Sequence, residues 1–218
     1  MMKRTLFLLL CLCALSARAQ VWGDLQVMYD YGHNFGTLTT EIGHTDKVGN
    51  SYGFVDFDFG NKESNGMYLE YGYNLRVKKN FFGRAEYDGG VFFNDVAARS
   101  KGTYAHGVLL GGAYQKMIKK TFLEFQLMYR MDVDYKEGST GHGLQATGVW
   151  NTTFIRDKVY FGGYADFNYK GTLDKFEFGS EIQLLYCFRE LGAGVEVELE
   201  NWTGSVSAHP KMMLKVKF

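Results

Sequence analysis

Carboxylates recur in this chain two residues apart: Asp56 and Asp58, Asp132 and Asp134, Glu196 and Glu198. Paired acids can serve acid–base chemistry or hold a hard cation, but none of these pairs sits in the ligand spacing of a calcium loop. Ser139 and His142 are close enough in sequence to supply a nucleophile and its base, as a lipid-acting enzyme would need. His33, His44, His106 and His209 stand singly, no metal-ligand spacing occurs, and the chain is expected to use no metal or other cofactor and not to be an enzyme. A different chemistry runs through the acids. Arg130 stands between Glu124 and Asp132, Arg84 precedes Glu86 and Asp88, and Arg76 follows Glu70. Aromatic rings share their parity: Tyr52 and Phe54 with Asp56 and Asp58, Tyr68 with Glu70, Tyr160 and Tyr164 with Asp166. Rings offer stacking surfaces, and carboxylates and guanidinium groups offer acceptors and donors. That combination suits holding a flat, polar, uncharged solute; equally, the charges could cross-brace a wall.

Period two governs the elements that must position these groups. In FLEFQLMYRMDVD, residues 122–134, Leu123, Phe125, Leu127, Tyr129, Met131 and Val133 alternate with mostly polar positions, which reads as a strand with two unlike faces. The pattern recurs over 24–31, 51–59, 67–77, 81–91, 159–169, 176–186, 191–199 and 211–218, and less cleanly around 35–44, 103–115 and 142–153. That predicts about twelve strands in one continuous meander, with no domain break. Short connections at 78–80, 116–120, 156–158 and 188–190 alternate with longer ones rich in Gly, Ser and Asn at 61–66, 94–102, 136–141 and 200–210.

The first 19 residues carry Lys3 and Arg4, an apolar run from Thr5 to Leu15, and a small-residue Ala17-Arg18-Ala19 site, the pattern of a secretory signal peptide. Cys11 and Cys13 fall within it, so residues 20–218 keep only Cys187 and no internal disulfide is expected. A net charge of zero gives no reason to expect nucleic acid as a partner. A single proline among 218 residues suits a chain held mostly by strand ladders. A soluble sandwich would alternate too, but its strands average about 5–6 residues, whereas many here run to the roughly 9–11 that a tilted membrane strand needs. Tyr29, Tyr31, Tyr73, Tyr87, Trp150, Tyr169 and Tyr186 stand near strand ends on the apolar face, as aromatic girdles do. The expected fold is therefore an all-β, transmembrane, antiparallel up-and-down barrel in a Gram-negative outer membrane. Its apolar face meets lipid and its charged face lines the lumen. Phe218, ending an alternating strand, would be read by the barrel assembly machinery.

Two segments carry a family resemblance. Tyr52-Gly-Phe-Val-Asp-Phe-Asp-Phe-Gly60 and Gly66-Met-Tyr-Leu-Glu-Tyr-Gly-Tyr-Asn-Leu-Arg76 resemble the nucleoside-specific channel (Tsx-like) family of the outer membrane. The chain departs from that pattern after Glu70-Tyr71, where Tyr73-Asn74 replaces a Pro-Arg pair and Arg76 follows two positions on. The resemblance implies a twelve-stranded monomeric barrel for passive uptake of nucleosides. Tyr52, Phe54, Asp56, Asp58, Tyr68, Glu70, Arg76, Arg84, Glu86, Arg130, Asp132, Tyr164 and Asp166 are the expected lumen-lining, solute-binding set. The rival readings are a lipid-acting barrel enzyme and a plugged structural or surface barrel.

Overall fold

The computed structural model describes residues 20–218 except 33, 61–64, 93–102, 135–138, 171–174 and 202–203; the expected signal peptide lies outside the described residues. Among the described residues the strands are β1 (Gln20–Asp30), β2 (Phe35–Thr45), β3 (Gly49–Phe59), β4 (Gly66–Lys78), β5 (Phe81–Phe92), β6 (Thr103–Ile118), β7 (Thr121–Asp134), β8 (Ser139–Phe154), β9 (Val159–Lys170), β10 (Lys175–Phe188), β11 (Leu191–Glu200) and β12 (Ser207–Lys217). Each pairs antiparallel with its sequence neighbours, and β12 returns to pair with β1, closing the sheet into a barrel with no free edge. Closure continues to the last residue: Phe218 N–H donates to Gly23 O at 3.0 Å, and Gly23 N–H donates to Phe218 O at 3.2 Å.

One rim carries the tight turns at 46–48, 79–80, 119–120, 155–158 and 189–190, together with both ends of the barrel. Lys79, Lys119 and Arg189 adopt left-handed backbone there, with φ of 43°, 56° and 54°. The other rim carries the longest connections, at 60–65, 93–102 and 201–206, with four-residue links at 31–34, 135–138 and 171–174. The strands start and stop a little beyond the alternation: β8 begins at Ser139, so His142 is a strand residue and not a loop residue.

Alternation sets the two faces. Among the described residues no Asp, Glu, Lys or Arg points outward between the rims, and the outer wall presents residues such as Leu127, Leu184 and Leu214, 58%, 46% and 62% exposed. Exposed Tyr29, Tyr31, Tyr87 and Tyr129 mark one edge of this belt; Phe81, Phe154, Tyr186 and Phe188 mark the other. An exterior that is apolar all round, with polar side chains inside, is the inverse of a soluble barrel and fits a lipid surround.

Candidate functional site

Inward-facing side chains divide the lumen into two packed walls and a more open slot. On the β5–β8 wall, Arg84 on β5 reaches over β6 to Glu124 on β7 at 3.6 Å, donates to Glu86 on its own strand, and touches Asn74 at 3.2 Å. Nearer the loop rim, Arg130 donates to Asp88 at 2.7 Å, to Asp132 at 2.7 Å and to Gln145 at 3.0 Å, tying together β5, β7 and β8. The opposite wall repeats the plan. Lys215 on β12 contacts Asp24 on β1 at 3.0 Å and Glu41 on β2 at 3.1 Å, while Lys211 contacts Glu196 and Glu198 on β11, each at 3.0 Å. Between the two cations of each wall lies an apolar layer: Leu109 and Met128 on one side, Met28, Leu185 and Met213 on the other, with Cys187 and Tyr160 against the latter. A charge removed from water is tolerable when its neighbours compensate it, and in these walls the ion pairs and amides supply that compensation, with Asp88 Oδ1 left without a described donor.

Close approach across a strand demands a missing side chain at two places. A Cβ on Gly107 would meet Asp88 Oδ1 at 2.0 Å and Arg130 at 2.9 Å, so the Arg130–Asp88 bridge crosses β6 over a bare backbone. On β4, a Cβ on Gly72 would meet the Arg84 guanidinium at 2.4 Å.

Between the walls, solvent reaches side chains of β3–β4 on one side and β9–β10 on the other: Tyr52, Phe54, Asp56, Asp58, Tyr68 and Glu70 face Tyr160, Tyr164, Asp166, Asn168 and Glu181, all half-buried. Rings form an ascending row. Trp22 stacks on Tyr52 with centroids 6.0 Å apart, Tyr52 neighbours Phe54 at 6.2 Å, and Phe54 neighbours Tyr68 at 6.1 Å. Hydroxyls here are engaged, Tyr52 donating to Glu41 at 3.0 Å and Tyr68 to Glu70 at 2.7 Å. Asp58 and Asp56 accept from Thr37 and Thr39, at 2.7 and 2.5 Å.

Most of the expected solute-binding set therefore faces the lumen, but it separates into two groups. Tyr52, Phe54, Asp56, Asp58, Tyr68, Glu70, Tyr164 and Asp166 line the slot. Arg84, Glu86 and Arg130 are each 8% exposed and, with Asp132, are committed to the wall network, so their donors and acceptors are turned to one another. Arg76 is misplaced by the expectation. It keeps inward parity, pairing with Phe82, but stands exposed near the turn end of β4, where it lies over the Phe82 ring at 5.0 Å and donates to Lys79 O at 3.1 Å. The sequence reading also passed over Trp22, which shares the parity of Asp24 and Gln26 and heads the aromatic row. His142 faces outward, stacked and hydrogen-bonded to Tyr129, away from the lumen; the Ser139 side chain lies outside the described residues.

Outside the lumen, charge concentrates on the turn rim. Lys78 and Lys79, Lys119 and Lys120, Arg156 and Lys158, and Arg189 occupy successive turns, where Asp46, Asp157 and Glu190 are the only acids. Asp46 accepts from the Val48 and Gly49 N–H groups, which hold its carboxyl below the usual carboxylate range. Asp157 is lowered likewise by Lys120 and Thr153.

Solved structures share this architecture. The NanC porin, seen in a rhombohedral crystal form, superposes with a TM-score of 0.60 at 13% identity, over 90% of this chain and 98% of that one. The KdgM porin, in complex with disordered oligogalacturonate, gives 0.53 at 13% identity, over 90% and 99%. An outer membrane channel from Pseudomonas putida F1 gives 0.50 at 11% identity, over 92% and 96%. At these identities the likeness is one of fold, that of outer-membrane channel barrels, and none of the three descriptions names a nucleoside. No curated protein matches the sequence. The family model that does match spans residues 22–206, nearly the whole barrel, and by it the chain belongs to the family described as Domain of unknown function (DUF5020).

Proposed function

We propose that this protein is a monomeric outer-membrane channel through which small polar solutes, nucleosides among them, diffuse passively. In this reading residues 1–19 are removed on export, and Phe218 presents the last strand to the assembly machinery. The observation that carries it is the solvent-reached slot, in which a row of rings from Trp22 to Tyr68 runs beside hydrogen-bonding groups. A nucleobase stacking on such rings gains roughly 1–3 kcal/mol per contact with little preference among bases. An oligogalacturonate, the solute of the KdgM complex, is a polyanion and would meet carboxylates here, so a neutral solute suits this lumen better.

One observation favours a plugged structural barrel instead: Leu109, Met128 and Leu185 are at most 1% exposed inside the lumen, so the walls are solid. Single-channel recording of the purified barrel in a planar bilayer, with adenosine or thymidine titrated in, separates the two. A conducting pore transiently blocked by nucleoside supports the proposal. Conductance without block defeats the nucleoside assignment, and a silent bilayer supports the plugged barrel.

A further inference from the structure

A net charge of zero conceals two opposed regions. Lysines and arginines crowd the turn rim, and carboxylates crowd the lumen. Among the described residues the lumen cations between the two mouths are Arg84, Arg130, Lys211 and Lys215, each already in contact with two carboxylates. Among the described residues no cation lies within salt-bridge distance of Glu70, Asp166 or Glu181 in the slot; Lys211 acts on Glu181 and Arg130 on Asp166 only at longer range. Their surroundings are acceptors as well. The buried Oδ1 atoms of Asp166 and Asn168 have no described donor, whereas Asp88, register partner of Glu70, is bound to Arg130 with its Oδ1 against Gly107. Of the donors beside them, Tyr52 and Tyr68 are spent on Glu41 and Glu70, and Thr147 donates to Asp166.

Whatever enters such a slot gains by bringing donors and positive charge. Low-dielectric walls focus the field of like charges and enrich counter-ions by roughly 10- to 1000-fold. The ring faces of Tyr52, Phe54 and Tyr68 present the negative side of their quadrupoles to a cation. Resting on the channel reading above, we propose that the slot is a charge filter at Glu70, Asp166 and Glu181: cations pass before neutral solutes and neutral solutes before anions, with small donor-rich organic cations held most tightly.

Reversal potentials of the full-length mature barrel under a potassium chloride gradient test this directly. The expected potassium-to-chloride permeability ratio is about ten or more, and spermidine added to one side is expected to block the current. The triple variant Glu70→Gln, Asp166→Asn, Glu181→Gln is expected to bring the ratio close to one, while Lys79→Gln on the turn rim leaves it unchanged. A wild-type ratio near or below one, or a ratio indifferent to the triple variant, overturns the filter. Heat-dependent gel migration verifies that the variants fold, and the single Glu181→Gln, expected to lower the ratio part-way, serves if the triple variant does not. A silent bilayer would defeat the channel reading itself. Spermidine binding to the refolded barrel, measured by calorimetry, would then decide the filter separately: about tenfold weaker binding by the triple variant is expected, and no binding by the wild type overturns it.

Discussion

Lys215 holds two carboxylates from two other strands, Asp24 at 3.0 Å and Glu41 at 3.1 Å, within a buried wall. Lys215→Met keeps much of the side-chain volume but leaves both acids facing each other without a cation. Breaking a buried ion group from one side costs about 3–5 kcal/mol, so a loss of that order is expected in urea unfolding from lipid vesicles. Gly107→Ala attacks the other wall by geometry alone, since the added methyl would occupy the path of the Arg130–Asp88 bridge. A loss of about 1–3 kcal/mol is expected, the cost of parting a buried hydrogen-bonded group from its partner. Asp157 gives a pH signature outside the membrane. Lys120 and Thr153 depress its folded pKa below the ordinary value, so its contribution is present above the unfolded pKa and is lost as pH falls through the folded one. The unfolding midpoint of the wild type should therefore exceed that of Asp157→Asn at pH 6, with the gap closing as the pH drops below the ordinary carboxylate range.

At the scale of the strand, β7 shows what alternation controls. Leu127 is 58% exposed on the lipid face, while its neighbour Gln126 is 4% exposed inside. Leu127→Arg places a charge at the apolar belt and should cost about 2–4 kcal/mol in vesicle unfolding, as arginine at a bilayer midplane does. Gln126→Leu, which adds an apolar group beside the layer of Leu109 and Met128, should cost less than half of that. This alternation, with the strand count and the two rims, was legible from residue order, because period two is a local property of the chain. The apolar layers were partly written there as well: Met28, Met128, Leu185 and Met213 each interrupt a polar parity. What they pack against depends on the stagger of the closed sheet, which brings β10 and β12 side chains together and is not local. Arg76 failed for a different reason: its inward parity holds as far as its pairing with Phe82, but its height near the end of β4 puts it at the rim, and a period of two carries no information about height. The slot itself was half legible. Its aromatic and acidic members share faces visible in the sequence, but only the structure separates Glu70 and Asp166 from Arg84, Glu86 and Arg130, which are committed to one another.

For the whole molecule, the described residues of the belt between the rims carry no charged side chain through which barrels could recognise one another. Light scattering of the detergent-solubilised protein is accordingly expected to give the mass of one chain. Barrel continuity rests on the β1–β12 pairing, which ends with Phe218 and Gly23 exchanging hydrogen bonds. Until β12 pairs on both sides, β1 and β11 each carry an open edge, so this one strand closes the ring. Damage confined to β12 therefore leaves a sheet with two exposed edges rather than a slightly smaller barrel. A cut within β12 is expected to open the barrel outright, freeing the pairing sides of β1 and β11 together.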